Sequence, residues 1–407
     1  MKVLFTFGGL PHYNNFILSR LNSTENLEVV VAVPSGGTKT IGNSVKQAEE
    51  GINFRIIYLE EKKAFYGNYY LAGLLETIKK EKPDILVTIW PYVLNLVVDF
   101  KLRKYLKKNN IKVVIKEIPF DIPPYHEAIR YYKSDYARRL NEDMEIKSKV
   151  NLIFYIKHYL LRWARKYYYT NIIDASVNYV DKAFDISPTY GLPKESIFIG
   201  TNSPDTDRLF DAFEKIKNDP PILSENPYRL IHVGRLVKWK RVDLILEAMD
   251  KIKNEFPDIE LIVIGNGKEK ENLQKKAREL NLEKKVKFVG GIYKNEDLGK
   301  YFLSSSIYIL AGMGGLSINE AMAFGKPVIC SVADGTELRL VKDGENGFYF
   351  KNGNAVDLAE KIKILFDNRE LIRRFGEKSI QIIKEEVNVH TVIKGYLDAF
   401  NYVLSSI

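Results

Sequence analysis

Short apolar runs alternate with amphipathic stretches along most of the chain, and their lengths predict strands alternating with helices. In the first half, Val3–Phe7, Leu27–Val33, Phe54–Tyr58, Ile85–Ile89 and Val113–Ile115 read as buried strands. Helical spacing predicts helices over Asn15–Leu21, Leu71–Lys80 and Val97–Lys107, the second stopped near Pro83. Residues 126–170 read as long, mostly helical excursions, after which Val180–Ile186 and Ile197–Ile199 return to strand character. A second series follows. Tyr228–Val233, Ile259–Ile264 and Val286–Val289 read as strands, and Val242–Phe256, Glu269–Leu280 and Asn295–Phe302 as helices. A last amphipathic helix, roughly 389–404, puts Val389, Val392, Tyr396, Phe400 and Val403 on one face.

Strands alternating with helices imply parallel sheets covered on both faces, an α/β class. Between the two series, Asn202-Ser-Pro-Asp205, Asp219-Pro-Pro221 and Glu225-Asn-Pro227 mark a linker. The expected organisation is a first domain of 1–203 plus 388–407 and a second of 204–387. A ligand cleft between two such halves is the default expectation.

Composition narrows the function classes. With 407 residues and 45% apolar positions, the chain suits two globular domains. No apolar run reaches the roughly 18 residues that span a bilayer. The start, Met1-Lys-Val-Leu-Phe-Thr-Phe, reads as a first strand rather than a signal peptide. The single cysteine, Cys330, lies in an apolar run and fits a buried thiol in a reducing compartment. It and five scattered histidines make no zinc-ligand spacing, so no metal is expected. A cytoplasmic protein is expected, with peripheral attachment to the inner membrane face as an option.

The net charge of +9 is concentrated: residues 101–170 hold 17 Lys/Arg against 7 Asp/Glu. Tyr155, Tyr159, Trp163, Tyr167, Tyr168 and Tyr169 are interleaved with these cations. A solvated basic face and an anionic membrane surface are both open readings. Nucleic acid is not expected, since no nucleic-acid motif accompanies the charge.

The chemistry concentrates at Leu310-Ala-Gly-Met-Gly-Gly-Leu-Ser-Ile-Asn-Glu320. There a strand runs into a glycine turn, and the turn into a helix. The glycines Gly312, Gly314 and Gly315, with Leu316 and Ser317, expose backbone N–H groups at the positive end of the helix, which favours a phosphate. Glu320, about one turn in, is placed to accept hydrogen bonds from sugar hydroxyls. That points to a nucleotide sugar rather than to ATP. Opposite lies Gly234-Arg235-Leu-Val-Lys-Trp-Lys240. Arg235 offers a bidentate fork and Lys240 a point charge, so the two loops could hold a diphosphate from both sides.

The order Gly234-Arg-Leu…Lys240, Val263-Ile-Gly-Asn-Gly267, Val286-Lys-Phe-Val-Gly290, Gly315-Leu-Ser…Glu320-Ala-Met-Ala…Gly325-Lys-Pro and Asp343-Gly-Glu-Asn-Gly347 resembles the retaining glycosyltransferases of family 4, the glycosyl transferases group 1. The likeness covers nearly all of residues 228–365. It implies a GT-B fold: two Rossmann-like domains facing across a cleft, with the last helix crossing back to the first. It implies transfer of a sugar from a nucleoside-diphosphate sugar to a hydroxyl acceptor, with retention and without a metal or other cofactor. Arg235 and Lys240 match the family's diphosphate ligands, and Glu320 its ribose-binding carboxylate. Gly315, Leu316 and Ser317 match its phosphate-binding amides, and Gly290 and Ile292 its base-contacting loop. In the first half the match is one of layout, with Gly8-Gly9 after strand one; Gly9 is included among the donor contacts. The acceptor class this suggests is a glycan or lipid-linked sugar, as in bacterial or archaeal surface-polysaccharide or glycolipid assembly.

Two positions depart from the family pattern. Gly312 stands where a glutamate is usual, eight residues before Glu320. An active-site histidine common in the first domain is also missing. Glu117 is the nearest candidate for its place, and His12, in Gly8-Gly-Leu-Pro-His12, is a rival. His232 reads as structural. Two other functions stay open: a non-catalytic nucleotide-sugar-binding partner subunit, and a sugar-nucleotide 2-epimerase.

Overall fold

The structure is a computed structural model. It describes residues 1–36, 51–119, 122–134, 141–146 and 150–405, with the side chains of residues 12, 13, 132 and 134 excepted. Contacts divide the chain into two compact units. Unit 1 is Met1–Arg139, Ser148–Thr201 and His390–Ile407; unit 2 is Leu140–Lys147 and Asn202–Val389.

Unit 1 holds seven parallel strands: β1 Lys2–Thr6, β2 Glu28–Pro34, β3 Arg55–Leu59, β4 Ile85–Ile89, β5 Lys112–Glu117, β6 Ala175–Asn178 and β7 Ile197–Ile199. Their spatial order is β3-β2-β1-β4-β5-β6-β7. The central strands are buried on both faces, as apolar runs such as Val29–Val33 require. The last helix, Val389–Ser405, packs Tyr396 and Phe400 edge-on to Phe5 of β1, with ring centroids 5.9 and 6.3 Å apart. It approaches so closely that a Cβ on Gly395 would lie 2.4 Å from the Ile199 carbonyl oxygen.

Several elements differ from their sequence reading. The strand expected over Val180–Ile186 is β6, Ala175–Asn178, and Ala183–Ile186 is helical. Periodicity misses β6 because its polar Ser176 and Asn178 are buried, with the Asn178 Nδ2 donating to the Ser176 Oγ at 2.9 Å. The expected helix Val97–Lys107 is two helices, Val93–Val98 and Phe100–Lys108. Asp99 divides them by capping the second, accepting from the Leu102 N–H at 2.9 Å. Leu71 closes a small antiparallel hairpin, Glu61–Lys63 with Tyr69–Leu71, and the following helix is Leu74–Glu81. The stretch read as linker contains the helix Thr206–Ile216, begun by Asp205.

Unit 2 holds six parallel strands: β8 Arg229–Val233, β9 Glu260–Ile264, β10 Val286–Gly290, β11 Ile307–Leu310, β12 Val328–Cys330 and β13 Gly347–Tyr349. The order is β10-β9-β8-β11-β12-β13. Alternate side chains feed two cores. Leu230, Leu261, Val263, Ile307 and Ile309 point to one, and Ile231, Ile262, Ile264, Tyr308 and Leu310 to the other. Cys330 is buried in the second, and burial pushes its thiol pKa well above the ordinary value. In each unit the strand order reverses direction beside the first strand. Such switch points, at the carboxyl ends of β1 and β4 and of β8 and β11, are where open α/β sheets bind ligands.

Candidate functional site

At the switch point of unit 2 the loop after β8 meets the loop after β11. Lys240 closes a short 3-10 turn, Lys238–Lys240, and its buried side chain crosses to the glycine turn. The ammonium donates to the Met313 carbonyl at 2.7 Å and to the Gly314 carbonyl. Burial pushes its pKa down to about 8, with Asp334 opposing the fall and Arg235 adding to it. A Cβ on Gly315 would sit 3.2 Å from this nitrogen. Gly314, Gly315 and Leu316 precede the helix Ser317–Ala323, and their amides find no acceptor among the described residues. The Ser317 hydroxyl is 2.7 Å from the Tyr308 hydroxyl.

Gly312 has a steric reason. A Cβ there would lie 2.1 Å from the Trp239 carbonyl oxygen, and that carbonyl also accepts from the Met313 N–H at 2.9 Å. The turn after β11 thus rests directly on the backbone of the turn after β8. A glutamate at this position has no room in this backbone.

Arg235 extends beside this turn and donates to Glu142 at 3.0 Å. Lys268 pairs with Asp143, and the Trp239 N–H donates to the Glu142 carbonyl at 3.1 Å. These contacts tie residues 141–146 to the rest of unit 2. Glu320 is half-buried on the helix after the glycine turn, and no described side chain or amide bonds its carboxylate. Burial pushes its pKa up to about 7. Gly234 and Gly290 join the same rim through the loop between them: the Gly234 N–H donates to Ile264 at 2.9 Å, and the Gly265 N–H to Gly290 at 2.8 Å. Ile292 follows, packed against the second core.

His232 is fully buried, its Nδ1 3.0 Å from the Ile309 carbonyl, and burial lowers its pKa to about 4. That is a core histidine. Sequence reasoning missed Glu337, which accepts from the Ala333 N–H at 2.6 Å and from the Gly335 N–H at 3.2 Å, and so shapes the loop after β12. Its signal was faint, a lone carboxylate at a helix start.

Unit 1 has its own cavity at its switch point, of about 530 Å³. Gly9 after β1, Trp90 after β4, and Glu117 and Ile118 at the end of β5 line it. Glu117 is buried, and both its oxygens are engaged. Oε1 accepts from the Tyr168 hydroxyl at 3.1 Å, Oε2 from the Tyr169 hydroxyl, and Arg165 lies 3.7 Å away. This carboxylate is a bonded wall of the cavity, not a free base. His12 begins the helix His12–Asn22, and its side chain lies outside the described residues. His158, which sequence reasoning did not single out, lines the cavity, and burial lowers its pKa. Among the described residues no cluster of His, Cys, Asp or Glu could hold a metal ion, and no helix is long and apolar enough to cross a membrane.

Residues 212–382 match the sequence model of the glycosyl transferases group 1. Over these residues the chain is similar to that family. The chain is 32% identical over 202 residues to an uncharacterized glycosyltransferase, MJ1069, of Methanocaldococcus jannaschii, covering 48% of this chain and 51% of that one. It is 30% identical over 207 residues to the poly(ribitol-phosphate) alpha-N-acetylglucosaminyltransferase of Staphylococcus aureus, covering 49% and 41%. The aligned part thus spans about half the length of these curated relatives. Among solved structures, Anabaena HepE in complex with UDP superposes with a TM-score of 0.69 at 16% identity, covering all of both chains. That likeness establishes the fold, which is of the GT-B type.

Proposed function

We propose that the protein transfers a sugar from a nucleoside-diphosphate sugar to a hydroxyl acceptor, with retention at the anomeric carbon. The observation that carries this reading is the paired loops of unit 2. Amides at Gly314, Gly315 and Leu316, unbonded among the described residues, stand beside the cations Arg235 and Lys240, with the Glu320 carboxylate, likewise unbonded among them, one helical turn away. Amides and cations suit a diphosphate, and a lone half-buried carboxylate suits ribose hydroxyls. Two solved forms of HepE, which shares the fold, hold UDP and UDP-glucose, which supports a nucleotide-sugar donor.

In the proposed reaction the bond from the anomeric carbon to the β-phosphate oxygen breaks as the acceptor oxygen bonds to the same carbon on the same face. The acceptor proton passes to the departing phosphate oxygen. Negative charge grows on the β-phosphate, and Arg235, Lys240 and the turn amides stabilise it more in the transition state than in the ground state. No metal enters this scheme. Gly234, Gly290, Ile292, Gly312 and Ser317 shape the donor's bed. The similarity to the poly(ribitol-phosphate) alpha-N-acetylglucosaminyltransferase supports a role in surface-glycan assembly, with a glycan or lipid-linked sugar as acceptor. The basic balance of residues 101–170 supports an acceptor presented at an anionic membrane face.

The test is donor-dependent release of nucleoside diphosphate across a panel of nucleotide sugars, with the product's anomeric configuration read by NMR. Release with retention, lost in Arg235→Ala, is expected. Conversion of the donor to an epimer, or donor binding with no turnover on any glycan acceptor, would overturn the reading.

A further inference from the structure

The helix Leu152–Asn171 presents two unlike faces, and each points to part of one ligand. At about 100° per residue, His158, Leu161, Arg162 and Arg165 share one side, and all four line the cavity of unit 1. Leu152, Ile153, Ile156, Leu160 and Trp163 share the opposite side and are exposed, Leu152 and Ile153 at 73%. So large an apolar stripe on a helix that otherwise packs into its unit marks an interaction surface. Lys157 and Lys166, both exposed, flank the stripe on its two edges, and residues 151–171 contain no acidic side chain. An apolar stripe edged by lysines matches an anionic bilayer interface: the stripe enters the acyl boundary while the ammonium groups reach the headgroups. Trp163 stacks on Tyr167 at 5.4 Å, adding aromatic surface at the level where such rings favour the interface.

The cavity on the other face is cationic. Among the described residues, Lys116, Arg162 and Arg165 line it against one carboxylate, Glu117, which is already bonded. The Arg162 guanidinium is held over the Tyr125 and Tyr159 rings, each 4.6 Å away, yet its buried Nε has no hydrogen-bond partner among the described residues. A buried, positioned donor without an acceptor fits a ligand oxygen.

We propose that this cavity takes the phosphate-bearing head of a lipid-linked acceptor, with the helix Leu152–Asn171 resting its exposed stripe on the anionic bilayer that carries the lipid. The proposal rests on the glycosyltransferase reading only for the word acceptor; head binding and membrane docking stand on this unit alone.

Two measurements on the full chain test it. In calorimetric titrations, farnesyl phosphate binds the wild type, and Arg162→Gln weakens it at least tenfold. Inorganic phosphate binds at least tenfold more weakly than farnesyl phosphate. Equal affinity of wild type and Arg162→Gln, or of the two probes, overturns the lipid-head assignment. In sedimentation, the wild type pellets with phosphatidylglycerol vesicles and stays in solution with phosphatidylcholine vesicles. Ile156→Asp with Leu160→Asp abolishes pelleting while farnesyl phosphate still binds. Pelleting that survives this pair of exposed substitutions overturns the docking face. Nucleoside-diphosphate binding is measured on the same samples. Its absence would sink the transferase reading and leave both of these results interpretable.

Discussion

The Lys240 ammonium donates to the carbonyl of Met313 at 2.7 Å and so pins the turn after β8 to the turn after β11. One buried cation thereby shapes the glycine turn and places its own charge beside it. Lys240→Ala is expected to lower turnover by roughly 10²-fold or more, on the order of 3 kcal/mol. Arg235→Ala is expected to do the same with less effect on folding, since Arg235 is half-exposed. Steady-state rates for both variants check this, and near-wild-type turnover in either removes that residue from the diphosphate.

Gly312 lies against the Trp239 carbonyl with no space for a side chain. Gly312→Ala should therefore separate the two turns and cost about 2 kcal/mol, seen as a fall of several degrees in Tm with weaker nucleotide binding. Gly312→Glu, although it supplies the residue usual in the family, should be worse still. A melting temperature unchanged in Gly312→Ala would mean that the turns are not in contact.

Much of this was legible in the chain. Strands β9 and β11 read directly because their apolar runs, Leu261–Ile264 and Ile307–Leu310, are buried on both faces, and Gly234, Arg235, Lys240 and the glycine turn stood out by residue type. What could not be read is who bonds whom across long separations. Lys240 looked like a surface cation awaiting a phosphate, and only the fold brings it to carbonyls more than seventy residues away. Glu117 read only as the nearest candidate for the place of the family's histidine, and the sequence did not show that a helix some fifty residues on brings Tyr168, Tyr169 and Arg165 against it. The strand β6 escaped because buried polar residues bonded to one another look like a loop to a hydrophobic period.

Glu142 places a carboxylate on Arg235 at 3.0 Å, on the guanidinium where a phosphate is proposed to sit. Donor and carboxylate then compete for one cation. Glu142→Gln should tighten nucleoside-diphosphate binding several-fold, with the gain shrinking as salt screens the pair. Weaker binding in Glu142→Gln would show instead that this contact positions Arg235 for the donor.

Two pKa shifts set a pH window. Burial raises Glu320 to about 7, so below that pH its carboxyl is protonated and accepts ribose hydroxyls poorly. Burial lowers Lys240 to about 8, so above that pH its charge is lost from the free protein. Affinity for a nucleotide sugar, whose diphosphate does not titrate in this range, should peak between about pH 7 and 8. Glu320→Gln should flatten the acid limb and Lys240→Arg the alkaline one. The signs for folding differ. The unfolded chain binds Lys240's proton more tightly, so this group makes stability rise from pH 8 towards the lysine's ordinary 10.5. Glu320 makes stability fall as pH rises from 4.5 to about 7. A binding profile flat from pH 6 to 9 would contradict both assignments.

The most direct test of the central claim is thermal stabilisation by UDP, GDP, ADP and dTDP, measured on the wild type and on Arg235→Ala. Stabilisation by one nucleotide family that is lost in the variant is the predicted result, and it would fix the donor class and the diphosphate site together. No stabilisation by any of the four, or stabilisation equal in wild type and variant, would contradict the donor site at the switch point of unit 2.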